Sequence, residues 1–112
     1  MEHTAIVKGD ALELSLTGKF TFSDSKTFND VLREISNSSY RSVIIDLKSV
    51  DFIDSAALGI LLLTRDKCDK SNTDLVVRNP KGQVRQMFDI SRFSDLFKIE
   101  MAPKKKASKR LG

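Results

Sequence analysis

The chain has 112 residues, of which 40% are hydrophobic and 30% are charged, and its formal net charge is +4. A chain of this length and apolar content can bury one hydrophobic core, so we expect a single domain that needs neither a disulfide nor a structural metal. With one cysteine, Cys68, and one histidine, His3, the chain can form neither an internal disulfide nor a metal-ligand cluster of these residues. The longest apolar run, residues 56–63, is far shorter than a membrane-spanning helix. Together these observations predict a cytoplasmic protein.

The first third of the sequence predicts a β-hairpin followed by a helix. Residues 5–7 and the alternating segment 12–16 are the predicted strands, joined by a turn around residue 9. Ser23 and Ser25 offer N-caps to the helix that follows. Its apolar residues at helical spacing are Phe28, Val31, Leu32 and Ile35.

The middle of the sequence predicts a buried strand and then an apolar helix. Residues 42–47 contain the β-branched run Val43-Ile44-Ile45 and are nearly continuous in apolar character, which is typical of a strand covered on both faces. Ser55 precedes a run of helix formers and is the predicted N-cap of the next helix. Residues 56–63 are apolar around the whole helix, so this half must be covered.

The apolar side chains of residues 56–63 fall into two groups that point in different directions. The predicted inner face consists of Leu58, Leu61 and Leu62 and contacts the sheet. Ile60 and Leu63 point away from this face, so either core packing against other helices or contact with a partner must cover them.

The last third predicts one more strand and one more helix. Residues 74–78 form the strand, and Pro80 at the first helical position opens a helix that carries Val84 and Phe88. Strands and helices thus alternate after the initial hairpin. This order predicts an α/β domain with a mixed sheet of four to five strands, flanked by about four helices and joined by right-handed crossovers.

The basic residues are concentrated at the end of the chain. Five of the 19 lie after Pro103 with no acidic residue among them, and the remainder has 14 basic residues against 15 acidic ones. The body therefore gives no support for nucleic-acid binding. We expect a domain over residues 1–102 and a basic, disordered tail over residues 103–112; the alternative is a tail that weakly anchors the protein to an acidic partner, nucleic acid or membrane surface.

Enzymatic chemistry finds little support in the sequence. Ser55 has no histidine base apart from His3 near the terminus, and the scattered glycines form no phosphate-binding loop. Asp46, Asp51 and Asp54 suit loop and cap groups better than acid–base or magnesium chemistry. We expect a non-enzymatic protein without a cofactor, in which Ser55 is either an ordinary helix cap or the site of a phosphate switch.

Residues 43–47 followed by residues 50–61 resemble the signature of STAS domains, specifically of bacterial anti-sigma factor antagonists. The resemblance extends to residues 16–18, 79–80 and 93–99, so it covers nearly the whole chain up to the tail. It departs from many family members in two places. Ala56 and Ala57 stand where a second hydroxyl residue and a glycine are frequent, and an acidic residue that often follows the position of Gly18 is absent.

The resemblance implies that Ser55 is phosphorylated by an anti-sigma factor with serine-kinase activity, or by the kinase module of a response regulator. A PP2C-type phosphatase would remove the phosphate. The unphosphorylated protein would bind the anti-sigma partner and release a sigma factor, without binding DNA or spanning a membrane, as a monomer or weak dimer.

We therefore expect a partner-binding surface around the phosphorylated residue. Its predicted members are Asp54, Ser55, Ala56, Ile60, Leu63, Thr21, Ser23 and Asp24. Two other hypotheses remain open at this point. One is a STAS scaffold or regulatory subunit of a larger complex, such as a stressosome-like or transporter-associated assembly, and the other is a small-molecule or nucleotide binder.

Overall fold

A five-stranded mixed β-sheet forms the centre of the protein in the computed structural model, which describes residues 1–37 and 39–101. The strands are β1 (Glu2–Lys8), β2 (Ala11–Phe20), β3 (Ser42–Ile53), β4 (Asp74–Arg78) and β5 (Lys98–Glu100). They lie in this order across the sheet, with β1 antiparallel to β2 and every other neighbouring pair parallel. The predicted α/β class with a mixed sheet is confirmed. The predicted tail over residues 103–112 lies outside the described residues.

Helices connect the parallel strands, because a parallel pair needs a crossover. They are α1 (Ser25–Asn37), α2 (Ser55–Lys70) and α3 (Gly82–Ile90), and the 3₁₀ turns Phe22–Asp24 and Phe93–Asp95 precede α1 and β5. Helices α1 and α2 pack against each other. Within the described ranges, every helix is too short or too polar to pass through a lipid bilayer.

The hydrophobic core lies on one face of the sheet. The alternating leucines Leu12 and Leu14 of β2 stand opposite Val43 and Ile45 of β3, so these four buried side chains share a face. Residues of α1 and α2 complete the same core, among them Phe28, Leu32, Ile35, Leu58 and Leu61. Each such side chain contributes roughly 1.5–3 kcal/mol when fully buried, so this layer holds the two helices on the sheet.

The other face of the sheet carries charged residues. Glu13 of β2 lies 3.7 Å from the Lys8 amino group and 3.9 Å from the Arg78 guanidinium, and Arg78 lies 2.8 Å from Glu100. These side chains alternate in sign across β1, β2, β4 and β5. Glu13 and Arg78 are half-buried, whereas Lys8 and Glu100 are exposed. Ion pairs near the surface contribute little stability individually, so this face adds less to the stability of the fold than the apolar one.

Strands β2 and β3 extend beyond β4. The last pair between β3 and β4 joins Asp46 to Arg78, whereas β2 and β3 remain paired as far as Phe20 and Ile53. The pairing of β2 with β3 changes register before Thr17 and again after Gly18. Gly18 has a φ of +85°, which glycine adopts readily and other residues adopt only with strain. The two strands therefore project past the rest of the sheet.

Two predicted helix starts are wrong. Helix α3 begins at Gly82 rather than at Pro80, because Lys81 between them has an extended backbone with φ −148° and ψ 167°, and Gly82 has a φ of +57°. Helix α1 has no serine cap, because a 3₁₀ turn precedes it: Ser25 Oγ donates to the Phe22 carbonyl at 2.6 Å, and Ser23 Oγ hydrogen-bonds to the Thr21 hydroxyl at 2.9 Å.

Candidate functional site

The projecting ends of β2 and β3 bring two loops together. Phe20 is paired with Ile53, and the backbone N–H of Asp54 donates to the Phe20 carbonyl at 3.4 Å. The 3₁₀ turn follows β2 directly, and α2 follows β3 directly. The start of α2 therefore lies beside the residues that follow Phe20, at the carboxyl ends of the parallel strands.

Asp54, and not Ser55, is the N-cap of α2. Asp54 Oδ1 accepts a hydrogen bond from Ala57 N–H at 2.8 Å, and its backbone is extended as an N-cap requires. The negative charge of this carboxylate also faces the positive end of the helix dipole, which stabilises it at this position. The prediction that Ser55 caps the helix is therefore wrong: Ser55 is the first helical residue.

The second oxygen of Asp54 joins the two loops. Asp54 Oδ2 accepts a hydrogen bond from the backbone N–H of Phe22 at 3.2 Å. One side chain thus fixes both the start of α2 and the 3₁₀ turn. Ser55 is exposed, and its hydroxyl makes no hydrogen bond to any residue in the described part of the chain, so it is not needed for this local structure.

Gln83 holds the end of β3 from the opposite side. Its Oε1 accepts from the Ile53 N–H at 2.9 Å, and its Nε2 donates to the Ile53 carbonyl at 3.0 Å. The amide side chain thus makes the pair of bonds that a neighbouring strand would make, at a point that β4 does not reach. Sequence reasoning missed Gln83, because nothing in the sequence indicates a contact between residues 30 positions apart.

The three predicted neighbours after β2 differ in their surroundings. Ser23 is exposed and Thr21 is half-buried. Asp24 is largely buried; its Oδ2 accepts from the Thr21 N–H at 2.8 Å, and its Oδ1 lies 3.4 Å from the amino group of Met1. The structure therefore gives Asp24 a role in shaping the turn.

The outer face of α2 begins at Ser55. Ser55, Gly59 and Leu63 are spaced by four residues, so they share one face, and all three are exposed. Ala56 beside them is half-buried. The prediction that Ile60 belongs to this face is wrong: its side chain is 8% exposed and lies in the core, because α2 packs against α1 as well as against the sheet.

Phe22 is an exposed aromatic residue at this site that sequence reasoning did not identify. It is 71% exposed, whereas Phe20 two residues earlier is fully buried. Continued strand alternation would place both rings on the same side. The strand ends at Phe20, however, and the 3₁₀ turn directs Phe22 to solvent next to Asp54.

Neither a cluster of metal-ligating side chains nor an activated thiol occurs in the part of the chain that the structure describes. In residues 1–37 and 39–101, no three His, Cys, Asp or Glu side chains are grouped as a metal ion requires. Burial, with a smaller effect from Asp69, raises the pKa of the Cys68 thiol to about 11, so this thiol is protonated near neutral pH and is a poor nucleophile.

Comparison with known sequences gives a family match over nearly the whole chain. The model of the STAS domain matches residues 3–105. A STAS-domain containing protein of Pseudomonas aeruginosa is 35% identical over 101 residues, which are 88% of this chain and 99% of that protein. BtrV of Bordetella bronchiseptica, which carries the name of an anti-sigma factor antagonist, is 36% identical over 59 residues, or 53% of this chain and 51% of that protein.

Comparison with solved structures shows the same fold. The anti-sigma factor antagonist SpoIIAA in its unphosphorylated form has a TM-score of 0.79 at 17% identity, and the match covers 95% of this chain and 92% of that one. The phosphorylated form of SpoIIAA from Bacillus has a TM-score of 0.72 at 15% identity, covering 95% and 96% of the two chains. The expected STAS resemblance is confirmed.

The capping role of Asp54 predicts unequal effects for two adjacent substitutions. Asp54→Ala should lower the free energy of unfolding by about 1–2 kcal/mol, because Ala57 N–H and Phe22 N–H lose their acceptor. Ser55→Ala should change it by less than about 0.5 kcal/mol, as an exposed side chain without a partner. Urea denaturation followed by circular dichroism measures both; equal losses would contradict the assignment of the cap.

The contact between Gln83 and Ile53 predicts a second unequal pair. Gln83→Ala should destabilise the protein by about 1–3 kcal/mol, because it leaves the Ile53 N–H and carbonyl without partners in a partly buried place. Gln86→Ala is the matched control, since this residue lies on the same helix and is exposed. If both variants unfold at the wild-type urea concentration, Gln83 does not support the end of β3.

Proposed function

Because the chain belongs to the STAS domain family, we propose that it is an anti-sigma factor antagonist that is switched by phosphorylation of Ser55. The observation that carries this proposal is the exposed hydroxyl of Ser55 at the start of α2, beside a carboxylate that already caps the helix. The protein transfers no group itself. It acts in the cytoplasm by binding and releasing another protein.

The partner in this proposal is an anti-sigma factor with serine-kinase activity, or the kinase module of a response regulator. Unphosphorylated protein binds the partner and thereby frees a sigma factor. Phosphorylated protein is released, and a PP2C-type phosphatase returns it to the binding state. This cycle requires a residue that can change its charge without changing the fold.

The geometry at Ser55 suits that requirement. The helix-terminal Ala57 N–H is bonded to Asp54, so a phosphate on Ser55 replaces no structural hydrogen bond. The phosphate instead adds about −1.5 to −2 of charge next to the Asp54 carboxylate. Burying this charge against a partner fitted to a neutral hydroxyl incurs both repulsion and desolvation, so binding weakens while the domain remains folded.

The outer face of α2 provides the contact surface. Gly59 lies on this face in the middle of the helix, where glycine costs roughly 1 kcal/mol relative to alanine. Nothing in the described residues requires it, since its φ is not positive and an added Cβ would meet none of their atoms within 4 Å. We attribute the glycine to close approach of the partner between Phe22, which is 71% exposed, and Leu63, which is 57% exposed.

Mass spectrometry of the protein purified from its own cells tests the modification. We expect a shift of about 80 Da that maps to Ser55 and is removed by a metal-dependent serine phosphatase. Ser55→Ala should abolish the shift, and Ser23→Ala, which alters the nearby exposed serine, should retain it. A phosphate mapped to Ser23, or none under any growth condition, contradicts the switch; the second result favours the scaffold hypothesis.

Binding to the kinase that modifies Ser55 tests the surface. Phe22→Ala should weaken binding about tenfold or more, as expected for a central aromatic contact. Gly59→Ala should also weaken binding while stabilising the fold by about 0.5–1 kcal/mol.

The control for this surface is Ile90→Ala, which removes a side chain that is 78% exposed on α3. Calorimetric titration gives the affinities, and urea denaturation gives the stabilities. Wild-type affinity for both Phe22→Ala and Gly59→Ala would exclude this face of α2 as the contact surface.

A further inference from the structure

Strand β1 forms one edge of the sheet, and within residues 1–37 and 39–101 no other element covers it. All seven of its residues, Glu2–Lys8, are exposed, and among these described residues its one neighbour is β2. Alternate N–H and C=O groups of such a strand point away from the sheet and are unpaired. A long edge of this kind is a template for another strand.

The two ends of β1 carry opposite charges, Glu2 and Lys8. In an antiparallel pair of two copies centred on Ala5, Glu2 of each copy lies opposite Lys8 of the other. Moving the register by two residues leaves two residues of each β1 unpaired and separates Glu2 from Lys8. Full pairing of the strand and matching of its end charges therefore occur in the same register.

We propose that a second copy of this chain is the occupant of this edge, and that two β1 strands pair antiparallel about Ala5 into a continuous ten-stranded sheet. The two copies are related by a two-fold axis, so each contributes the same residues. The contact goes beyond the proposed phosphorylation switch and does not depend on it.

The surroundings of β1 favour this pairing on both faces of the sheet. Val7 is exposed, and it shares a face with Leu12, so apolar side chains would continue from the core of each copy to the junction. On the other face, Lys8 lies 3.7 Å from Glu13. Glu2 of the second copy would extend the alternating row of charges that runs through Glu13, Arg78 and Glu100.

The pairing leaves both Ser55 surfaces uncovered. Ser55 follows β3, two strands in from the β1 edge, and the two-fold axis reverses the strand direction of the second copy, so the two Ser55 sites lie beyond opposite strand ends of the extended sheet. A contact formed by two strands is small, so the dimer should be weak and should depend on protein concentration.

Charge exchange between two variants tests the pairing and its register. Glu2→Lys places like charges opposite each other at both ends of the contact, and Lys8→Glu does the same with the opposite sign. Each variant should self-associate roughly tenfold more weakly than wild type. An equimolar mixture should restore association, because every pair of positions 2 and 8 is then oppositely charged.

Sedimentation velocity over a concentration series measures this association, starting from a monomer mass of 12.6 kDa. Glu34→Lys and Lys26→Glu are the controls, because they make the same net-charge changes at exposed positions of α1. If the mixture of control variants gains as much association as the mixture of edge variants, the effect comes from net charge and the proposal is wrong.

Crosslinking locates the axis independently. Ala5→Cys places two thiols opposite each other at the centre of the pair, within reach of a disulfide, whereas Ser15→Cys places an exposed thiol on β2 and should not crosslink. The native Cys68 is buried and protonated, so it does not compete. A monomeric wild-type protein at about 100 µM, together with no crosslink in the Ala5→Cys variant, would overturn the proposal.

Discussion

The candidate site depends on the two hydrogen bonds that the Asp54 carboxylate accepts. One oxygen accepts from Ala57 N–H and begins α2, and the other accepts from Phe22 N–H and fixes the turn after β2. The two loops that surround Ser55 therefore have one common support. This arrangement separates two tasks that a capping serine would have to combine, namely holding the helix and presenting a hydroxyl group.

The sequence was sufficient to predict the architecture because the relevant signals are local. Alternation in residues 12–16 and the β-branched run in residues 42–47 identify two strands of the sheet, and turn residues separate the elements. The helix starts were less predictable. The φ of +57° at Gly82 and the 3₁₀ turn before α1 are backbone details, and several sequence patterns at those positions are compatible with either start.

The sequence indicated a candidate site but not its internal contacts. The family signature indicated Ser55, whose phosphorylation stays a prediction, and helical spacing placed Leu63 on the outer face of α2, where it is exposed. Ile60 was misplaced because its burial depends on how α1 packs against α2, which a single-helix pattern does not contain. Gln83 was missed because it acts through hydrogen bonds to a residue 30 positions away. Phe22 was missed because the 3₁₀ turn that exposes it interrupts the alternation of β2.

The hydrogen bonds between Gln83 and Ile53 also connect the candidate site to local unfolding of the carboxyl-terminal elements. Helix α3 and β5 are the last elements in the described chain, and their detachment would leave β1 to β4 hydrogen-bonded to one another. Such a partial unfolding would still release Ile53, the residue directly before Asp54. The rate of hydrogen exchange at the Ile53 amide is therefore a local report on the opening of the carboxyl-terminal third, and mutations there act on the dynamics around Ser55 without touching its surface.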